Sequence, residues 1–285
     1  ALDRGLTFID TAAGYGNGKS ERVIHRVLSE RDDRQNIVVA TKTPPIGGPW
    51  PPSPYCVAEE RYPEPYLREN VEERLRNLGT DCIDVLQLHT WTRAWNGNPA
   101  PFEVLKRLKD EGKIRTVGVS TPEHDQNSVI DLMRNGWVDT VQVIYNIFEQ
   151  EPAAELLPVA AECNVGIIVR VAFDEGVLTG KYGEDTEFPE GDFRRNYFMG
   201  DRIQRAVRRV EAIRKEIEGT GLSLPQLALK YVLMHPAVSS VIPGIRNLRQ
   251  AETNTAVADM DPLDEDLMLR LRKHAWNRGN WYGGK

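Results

Sequence analysis

Four polar residues that end or follow predicted strands could act together on a carbonyl group. Asp10 and Tyr15 lie in FIDTAAGYGNGKSE, Lys42 ends NIVVATK, and His89 ends CIDVLQLH. A tyrosine phenol has a reference pKa of about 10, and a neighbouring ammonium group lowers that pKa. We therefore expect Lys42 to activate Tyr15 as a general acid, while Asp10 pairs with Lys42 and orients it. His89 is expected to hydrogen-bond the same substrate oxygen or to help relay the proton.

A carbonyl group that receives a proton on oxygen also needs a nucleophile on carbon. No Ser, Cys or Thr of the sequence is obviously activated, so we expect the nucleophile to be a hydride from a cofactor. An alternative is that Lys42 is the nucleophile of a Schiff-base barrel lyase. A lysine at a strand end fits that role, but Tyr15 and Asp10 would then have no specific task.

Seven short runs rich in β-branched residues alternate with amphipathic stretches and would position these side chains. The runs are almost continuously apolar, as expected for parallel strands covered on both faces. They span residues 7–10, 36–42, 82–89, 114–120, 140–146, 166–171 and 239–244. GYGNGKSE lacks the GxGxxG spacing of a doubly wound dinucleotide-binding fold. The sequence therefore predicts an α/β protein, a (β/α)8 TIM barrel in one domain over residues 1–285, with its active site at the carboxyl ends of the strands.

The barrel prediction leaves one strand unaccounted for, because a closed barrel of this class needs eight. The chain begins abruptly at Ala1, so we expect the first strand to be missing from the N-terminus of this chain. The alternative is a strand overlooked in the proline-rich residues 44–66.

After the fourth predicted strand, Ser120 and Thr121 precede Pro122, and this pattern predicts a helix that begins at the proline.

The composition excludes several classes of protein. The 285 residues are 40% hydrophobic and 27% charged, as in ordinary globular domains. The net charge of −6, with Lys and Arg spread along the chain, argues against a nucleic-acid partner. An apolar run of about 18 residues is absent from the sequence, which argues against a membrane span. The three cysteines are widely separated, which favours reduced thiols in a cytoplasmic protein and argues against a metal site.

As an ordered set, the motifs of this sequence resemble those of the aldo-keto reductase superfamily. The motifs are FIDTAAGYGNGKSE, ATK, LQLH, GVS, VQVIYN, GVLTGKY and VIPGIRNLRQAETN, and together they extend over essentially the whole chain. The resemblance implies a (β/α)8 barrel that reduces carbonyl groups with NADPH, or NADH, bound without a Rossmann domain. It also implies that Tyr15 is the proton donor of a catalytic set with Asp10, Lys42 and His89.

The resemblance further implies a set of cofactor contacts, some of which depart from the family pattern. Ser120 and Gln142 match residues that hold the nicotinamide carboxamide, and Thr121 replaces the usual Asn beside the serine. Arg170 replaces an aromatic residue that stacks on the nicotinamide. A guanidinium plane can also stack, but its charge disfavours the oxidised, cationic ring. The positions that match the pyrophosphate loop and the adenosine-phosphate segment are Phe173, Gly176, Gly244, Arg246, Gln250 and Asn254.

Arg246 bears on the choice between the two nicotinamide cofactors. It follows the last predicted strand in PGIRNLRQAETN, which opens a helix, and helix N-termini bind phosphate. We expect Arg246 to contact the 2′-phosphate and to favour NADPH over NADH. The alternative is an ordinary surface arginine near the start of a helix.

Aromatic residues on two predicted loops could form the substrate-binding rim. Trp50 lies in the long loop after Lys42, and Trp91 and Trp95 follow His89. Rigid aromatic faces suit a sugar ring or another bulky carbonyl compound. The alternative is that these rings pack the loops together or contact a second subunit of a homo-oligomer.

The other function that the sequence leaves open is that of a regulatory or sensor subunit of the same fold, which binds cofactor without turnover.

Overall fold

The computed structural model describes residues 1–276, and its contacts group the chain into two compact units. The N-terminal unit comprises Leu2–Val143 and Glu155–Ile168. The C-terminal unit comprises Ile144–Ala154 and the described residues from Val169 onward, together with Ala1. The organisation of residues 1–285 as a single domain stays a prediction.

Seven strands follow one another in chain order in one sheet. The first five pair in parallel, each with the next. The strands are β1 Phe8–Asp10, β2 Val38–Thr43, β3 Ile83–Leu88, β4 Ile114–Ser120, β5 Thr140–Ile144, β6 Gly166–Arg170 and β7 Val238–Val241. Each overlaps a predicted run, and the α/β-barrel fold class is confirmed. Residues 44–66 contain no strand, so the alternative of a strand overlooked there is wrong.

Helices alternate with these strands along the chain. The α-helices are α1 Lys19–Ser29, α2 Ala58–Arg61, α3 Glu64–Leu78, α4 Ala100–Asp110, α5 Ile130–Arg134, α6 Leu156–Glu162, α7 Arg194–Tyr197, α8 Arg202–Glu216, α9 Leu224–Leu233, α10 Leu248–Thr255 and α11 Glu265–Leu271. Short 3₁₀ helices span Leu2–Arg4, Arg34–Asn36, Arg93–Trp95, Gln126–Val129, Glu151–Ala153, Asp174–Thr179, Ala256–Asp259 and Arg272–His274. Among residues 1–276, no helix is long and apolar enough to cross a membrane.

Helix α3 shows how the sequence pattern specifies an element. Leu67, Val71, Leu75 and Leu78 recur at helical spacing and are buried on one face. The helix ends at Gly79, whose φ of 61° is left-handed and whose N–H bonds the carbonyls of Arg76 and Leu75. A glycine in this conformation satisfies the last carbonyls of a helix without steric cost.

The helix predicted to begin at Pro122 does not form there. Thr121 N–H instead donates to the Gln142 carbonyl at 2.9 Å, which continues the pairing of β4 with β5 past Ser120. Helical structure begins only at Gln126. The prediction was wrong: residues 121–125 are not helical, and the Thr121 hydroxyl, which could have capped a helix, donates to Gln126 Oε1 at 3.1 Å.

The interior of the N-terminal unit has no space for a side chain at Gly118. Lys42, Gln87, Gly118 and Thr140 are aligned across β2, β3, β4 and β5. A Cβ atom at Gly118 would lie 2.3 Å from Thr140 Oγ1 and 2.9 Å from Gln87 Cγ. It would also lie 3.0 Å from the Thr140 carbonyl oxygen, which belongs to the backbone and cannot rotate away.

We therefore expect Gly118→Ala to destabilise the protein. Overpacking of a well-packed core typically lowers the free energy of unfolding by about 1–3 kcal/mol. The matched control is Gly97→Ala, because a Cβ at Gly97 meets no heavy atom within 4 Å. Urea unfolding of both variants checks the prediction, and equal midpoints would contradict it.

Candidate active site

Asp10 and Lys42 form a buried ion pair at the ends of β1 and β2. Lys42 Nζ donates to Asp10 Oδ2 at 2.5 Å and to the Thr11 carbonyl oxygen at 2.8 Å. The Lys42 side chain is 1% exposed and that of Asp10 is 8% exposed. A buried ammonium group requires such partners, because its hydration is lost. The pair therefore fixes the position of the Lys42 ammonium group.

Tyr15 and His89 lie next to this ion pair. Lys42 Nζ is 5.6 Å from the centroid of the Tyr15 ring, within the range of a cation–π contact. The Tyr15 and His89 ring centroids are 6.4 Å apart in an edge-on arrangement. Tyr15 is 49% exposed, so its ring is accessible from solvent. The structure thus brings together the four residues predicted to be catalytic, and their roles stay predictions.

The loop that carries Tyr15 is held between β1 and α1 by backbone hydrogen bonds. Ala13 N–H donates to the Lys42 carbonyl at 3.1 Å, and Gly18 N–H donates to the Ala13 carbonyl at 2.9 Å. Gly18 has a φ of 74°, which a side chain would strain. These bonds place Tyr15 beside the strand that carries Lys42, which explains the five-residue spacing from Asp10.

Gln142 contacts Asp10 directly, which the sequence analysis did not anticipate. Gln142 Nε2 donates to Asp10 Oδ1 at 2.8 Å, so Gln142 and Lys42 bond different oxygens of one carboxylate. Ser120 is aligned with Gln142 across β4 and β5 and is buried. In the described part of the chain, the Ser120 hydroxyl has no hydrogen-bond partner. Ser120 can therefore bond a ligand amide without losing a protein contact.

Glu21, at the end of the FIDTAAGYGNGKSE motif, supports the strand beside Lys42. Its Oε1 accepts from Thr41 Oγ1 at 2.6 Å, and its Oε2 lies 2.8 Å from Arg74 Nε. Burial raises the pKa of the Glu21 carboxyl above its ordinary value, although the bonds from Thr41 and Asn77 oppose that shift. Sequence reasoning missed Glu21, and an acid on the inward face of a short amphipathic helix is the signal that could have found it.

Gln87 is a second residue that sequence reasoning missed. It is fully buried in β3, and neither its Nε2 nor its Oε1 has a hydrogen-bond partner within residues 1–276. Gln87 precedes His89 by two positions, and alternate residues of a strand share a face. That spacing could have identified it as an inward-pointing polar residue.

The three tryptophans predicted to bind substrate have different environments. Trp91 and Trp95 are 0% and 2% exposed, and their ring centroids are 5.1 Å apart. Their indole nitrogens donate to Asn96 Oδ1 and to the Cys56 carbonyl. These two rings pack the loops together, which was the alternative interpretation. Trp50 is 54% exposed, and its ring lies 5.3 Å from that of His89.

The loop after β6, in the C-terminal unit, has unusual backbone geometry. Val171, Asp174 and Glu175 have φ values of 57°, 42° and 55°, which side-chain-bearing residues seldom adopt. The Phe173 carbonyl accepts from the N–H groups of Gly176 and Leu178 and closes the turn. Such strain clusters at ligand-binding sites. Arg170, at the end of β6, is half-buried.

The segment after β7 carries the remaining predicted cofactor residues. Asn247 caps α10 by accepting from Gln250 N–H at 2.9 Å, and Gln250 Oε1 accepts from Arg246 N–H at 2.7 Å. A bond from Arg194 holds the pKa of Asp192 down to about 2, and the charge of Arg246 adds to this effect. Gly244 has open space beside it, and Asn254 Nδ2 is buried without a partner among the described residues. An unbonded donor and an open glycine fit a nucleotide ligand.

Comparisons with known proteins find relatives over almost the whole chain. The chain is 32% identical to the aldo-keto reductase YhdN of Bacillus subtilis over 93% of this chain and 78% of that protein. It is 28% identical to the NADH-specific methylglyoxal reductase of Escherichia coli over 93% of this chain and 82% of that protein. The structure of a glycerol dehydrogenase from Gluconobacter oxydans matches with a TM-score of 0.77 and 26% identity, covering 100% of this chain and 84% of that one. The model of the aldo/keto reductase family matches residues 1–275, and the chain belongs to this family.

Proposed function

We propose that the chain reduces an aldehyde, ketone or sugar carbonyl to an alcohol with NADPH, or NADH, as the reductant. The observation that carries this proposal is the buried Asp10–Lys42 pair beside the exposed Tyr15 ring. An ammonium group fixed next to a solvent-accessible phenol is suited to donate a proton to a carbonyl oxygen. The names of the relatives, among them a methylglyoxal reductase, also support it.

Each residue of the site has a distinct role in this proposal. A bound nicotinamide supplies hydride to the carbonyl carbon. Tyr15 donates its hydroxyl proton to the carbonyl oxygen, and the Lys42 charge stabilises the phenolate that remains. Asp10 orients Lys42 through the 2.5 Å bond, and His89 hydrogen-bonds the carbonyl oxygen. Trp50, whose ring packs on His89, offers an aromatic face to the substrate.

The residues proposed to hold the cofactor fall into two groups along the chain. In the N-terminal unit, Ser120, Thr121 and Gln142 would hold the carboxamide, with Ser120 supplying its unbonded hydroxyl. In the C-terminal unit, the strained loop and the segment at α10 would hold the nicotinamide face and the phosphates. The residues of the second group are Arg170, Phe173, Gly176, Gly244, Arg246, Gln250 and Asn254.

The Schiff-base alternative has less support. A lysine that attacks a carbonyl must be neutral and accessible. Lys42 is instead 1% exposed, and its ammonium group is bonded to Asp10 and to the Thr11 carbonyl.

For the location of the protein in the cell, the free state of all three cysteines supports a cytoplasmic protein.

Titration with NADPH and NADH, followed by quenching of tryptophan fluorescence, tests the proposal. We expect saturable binding, and then loss of the reduced-nicotinamide absorbance when methylglyoxal, other aldehydes or keto sugars are added. No binding of either cofactor would contradict the proposal. Binding without turnover of any carbonyl compound would favour the regulatory-subunit alternative.

Arg246→Ala is expected to weaken NADPH binding about tenfold and NADH binding much less. The change removes a charged hydrogen-bond donor to the 2′-phosphate, which only NADPH carries. Arg249→Ala is the control, because Arg249 is an exposed arginine on α10. Dissociation constants for both cofactors check the prediction, and equal losses of affinity would remove the argument for the 2′-phosphate.

A further inference from the structure

Three arginines of α8 surround a single indole ring in the C-terminal unit. Arg202, Arg205 and Arg209 are spaced so that they share one face of the helix. Their guanidinium carbons lie 4.4, 5.9 and 4.6 Å from the centroid of the Trp276 ring. None of the three arginines takes part in the proposed reductase chemistry.

Two of the three arginines in this cluster have no carboxylate at ion-pair distance in the described part of the chain. Arg205 Nε pairs with Asp201 at 3.1 Å. Within residues 1–276, neither Arg202 nor Arg209 has a carboxylate at ion-pair distance. The Asp201 carboxylate that pairs with Arg205 is itself 74% exposed.

Arg202 is the buried arginine of the cluster. It is 2% exposed, and its Nε has no hydrogen-bond partner among the described residues. Its Nη2 donates to the Tyr197 hydroxyl at 3.2 Å, and that hydroxyl donates in turn to Asp174 Oδ1 at 2.7 Å. A neutral hydroxyl thus separates the buried guanidinium from the nearest carboxylate in this chain of bonds.

Aromatic contacts compensate only part of this burial. Arg202 lies over the Tyr197 ring, at 4.8 Å, as well as over Trp276. Cation–π contacts are weaker than the cost of burying an ion without a counter-ion. The three charges also repel one another: burial, and next the charges of Arg205 and Arg202, lower the pKa of Arg209. A bound anion would relieve both the desolvation and the repulsion.

We infer that the cluster of Arg202, Arg205, Arg209 and Trp276 is a binding site for a phosphate dianion, either inorganic phosphate or the phosphate group of an ester. Planar guanidinium groups bind tetrahedral oxyanions through paired N–H donors, and several arginines together select a dianion over chloride. The unbonded Arg202 Nε is one such donor.

Thermal unfolding with inorganic phosphate tests this inference, with sodium chloride at equal ionic strength as the reference. We expect a saturable rise in Tm that is specific to phosphate. Arg209→Gln should raise the Kd for phosphate at least tenfold. Arg208→Gln is the matched control, because Arg208 lies on the same helix and pairs with Glu184 at 3.0 Å. Its Kd for phosphate should match that of wild type.

Three further results would overturn the inference. These are an effect of inorganic phosphate and of glycerol 3-phosphate that is no larger than that of chloride, an effect retained in Arg209→Gln, and an effect lost in Arg246→Ala, which would move the ion to the segment at α10. If Arg209→Gln does not fold, Arg205→Gln serves instead, because that side chain is 38% exposed. Glycerol 3-phosphate, compared with glycerol, distinguishes an ester source from free phosphate. Stabilisation by the ester alone, or by both the ester and inorganic phosphate, supports the site. Stabilisation by neither of them overturns the inference.

Discussion

Tyr15→Phe is expected to lower kcat for carbonyl reduction by about 10²–10⁴-fold, the usual contribution of a general acid. The substitution removes the hydroxyl group and keeps the ring, which contacts Lys42 and His89. Cofactor affinity should stay near that of wild type, because no proposed cofactor contact involves this hydroxyl. The loss should therefore fall on turnover and leave nicotinamide binding intact.

The measurement combines steady-state reduction of a carbonyl substrate with fluorescence titration of the cofactor. Tyr55→Phe is the control, because Tyr55 is 97% exposed and its substitution removes the same atom. Turnover of the Tyr15 variant at close to the wild-type rate would show that another group donates the proton. A loss of cofactor affinity equal to the loss of rate would assign Tyr15 to binding instead.

The strands and the residues at their ends were predictable because they depend on local pattern. Short apolar runs rich in β-branched residues located all seven strands, and β4 was predicted with its observed bounds, Ile114–Ser120. Parallel strands bring their carboxyl ends to one edge, so Asp10 and Lys42 could be expected to meet. This inference needed only the order of the strands.

Features that depend on register or on packing could not be predicted in the same way. The bond from Gln142 to Asp10 joins residues 132 positions apart, and it depends on the alignment of five strands. Trp91 and Trp95 lie in a loop with many polar residues, and the neighbouring sequence does not indicate that these two side chains are buried. The extension of the strand pairing to Thr121 is long-range as well, because its N–H donates to the carbonyl of Gln142.

The Asp10–Lys42 pair is buried, so removal of one of its two charges should destabilise the protein. Lys42→Met is expected to lower the free energy of unfolding by about 3–5 kcal/mol, since it leaves a buried carboxylate without its counter-ion. Methionine is similar in length to the lysine stem, so the lost charge outweighs any lost packing. The variant should also lose carbonyl reduction, because the Tyr15 phenol no longer has a neighbouring cation.

A double-mutant cycle separates the charge from the packing at this site. In Asp10→Asn/Lys42→Met, both charges are gone, and we expect most of the lost stability to return while activity stays absent. Lys109→Met is the control for loss of a lysine from an ion pair, because Lys109 and Asp139 are each 39% exposed and should contribute much less. Denaturant unfolding of the four proteins of the cycle and of this control gives the coupling energy. The double variant could instead be no more stable than Lys42→Met. In that case an unpaired Asp10 carboxylate is not the cause of the instability of Lys42→Met.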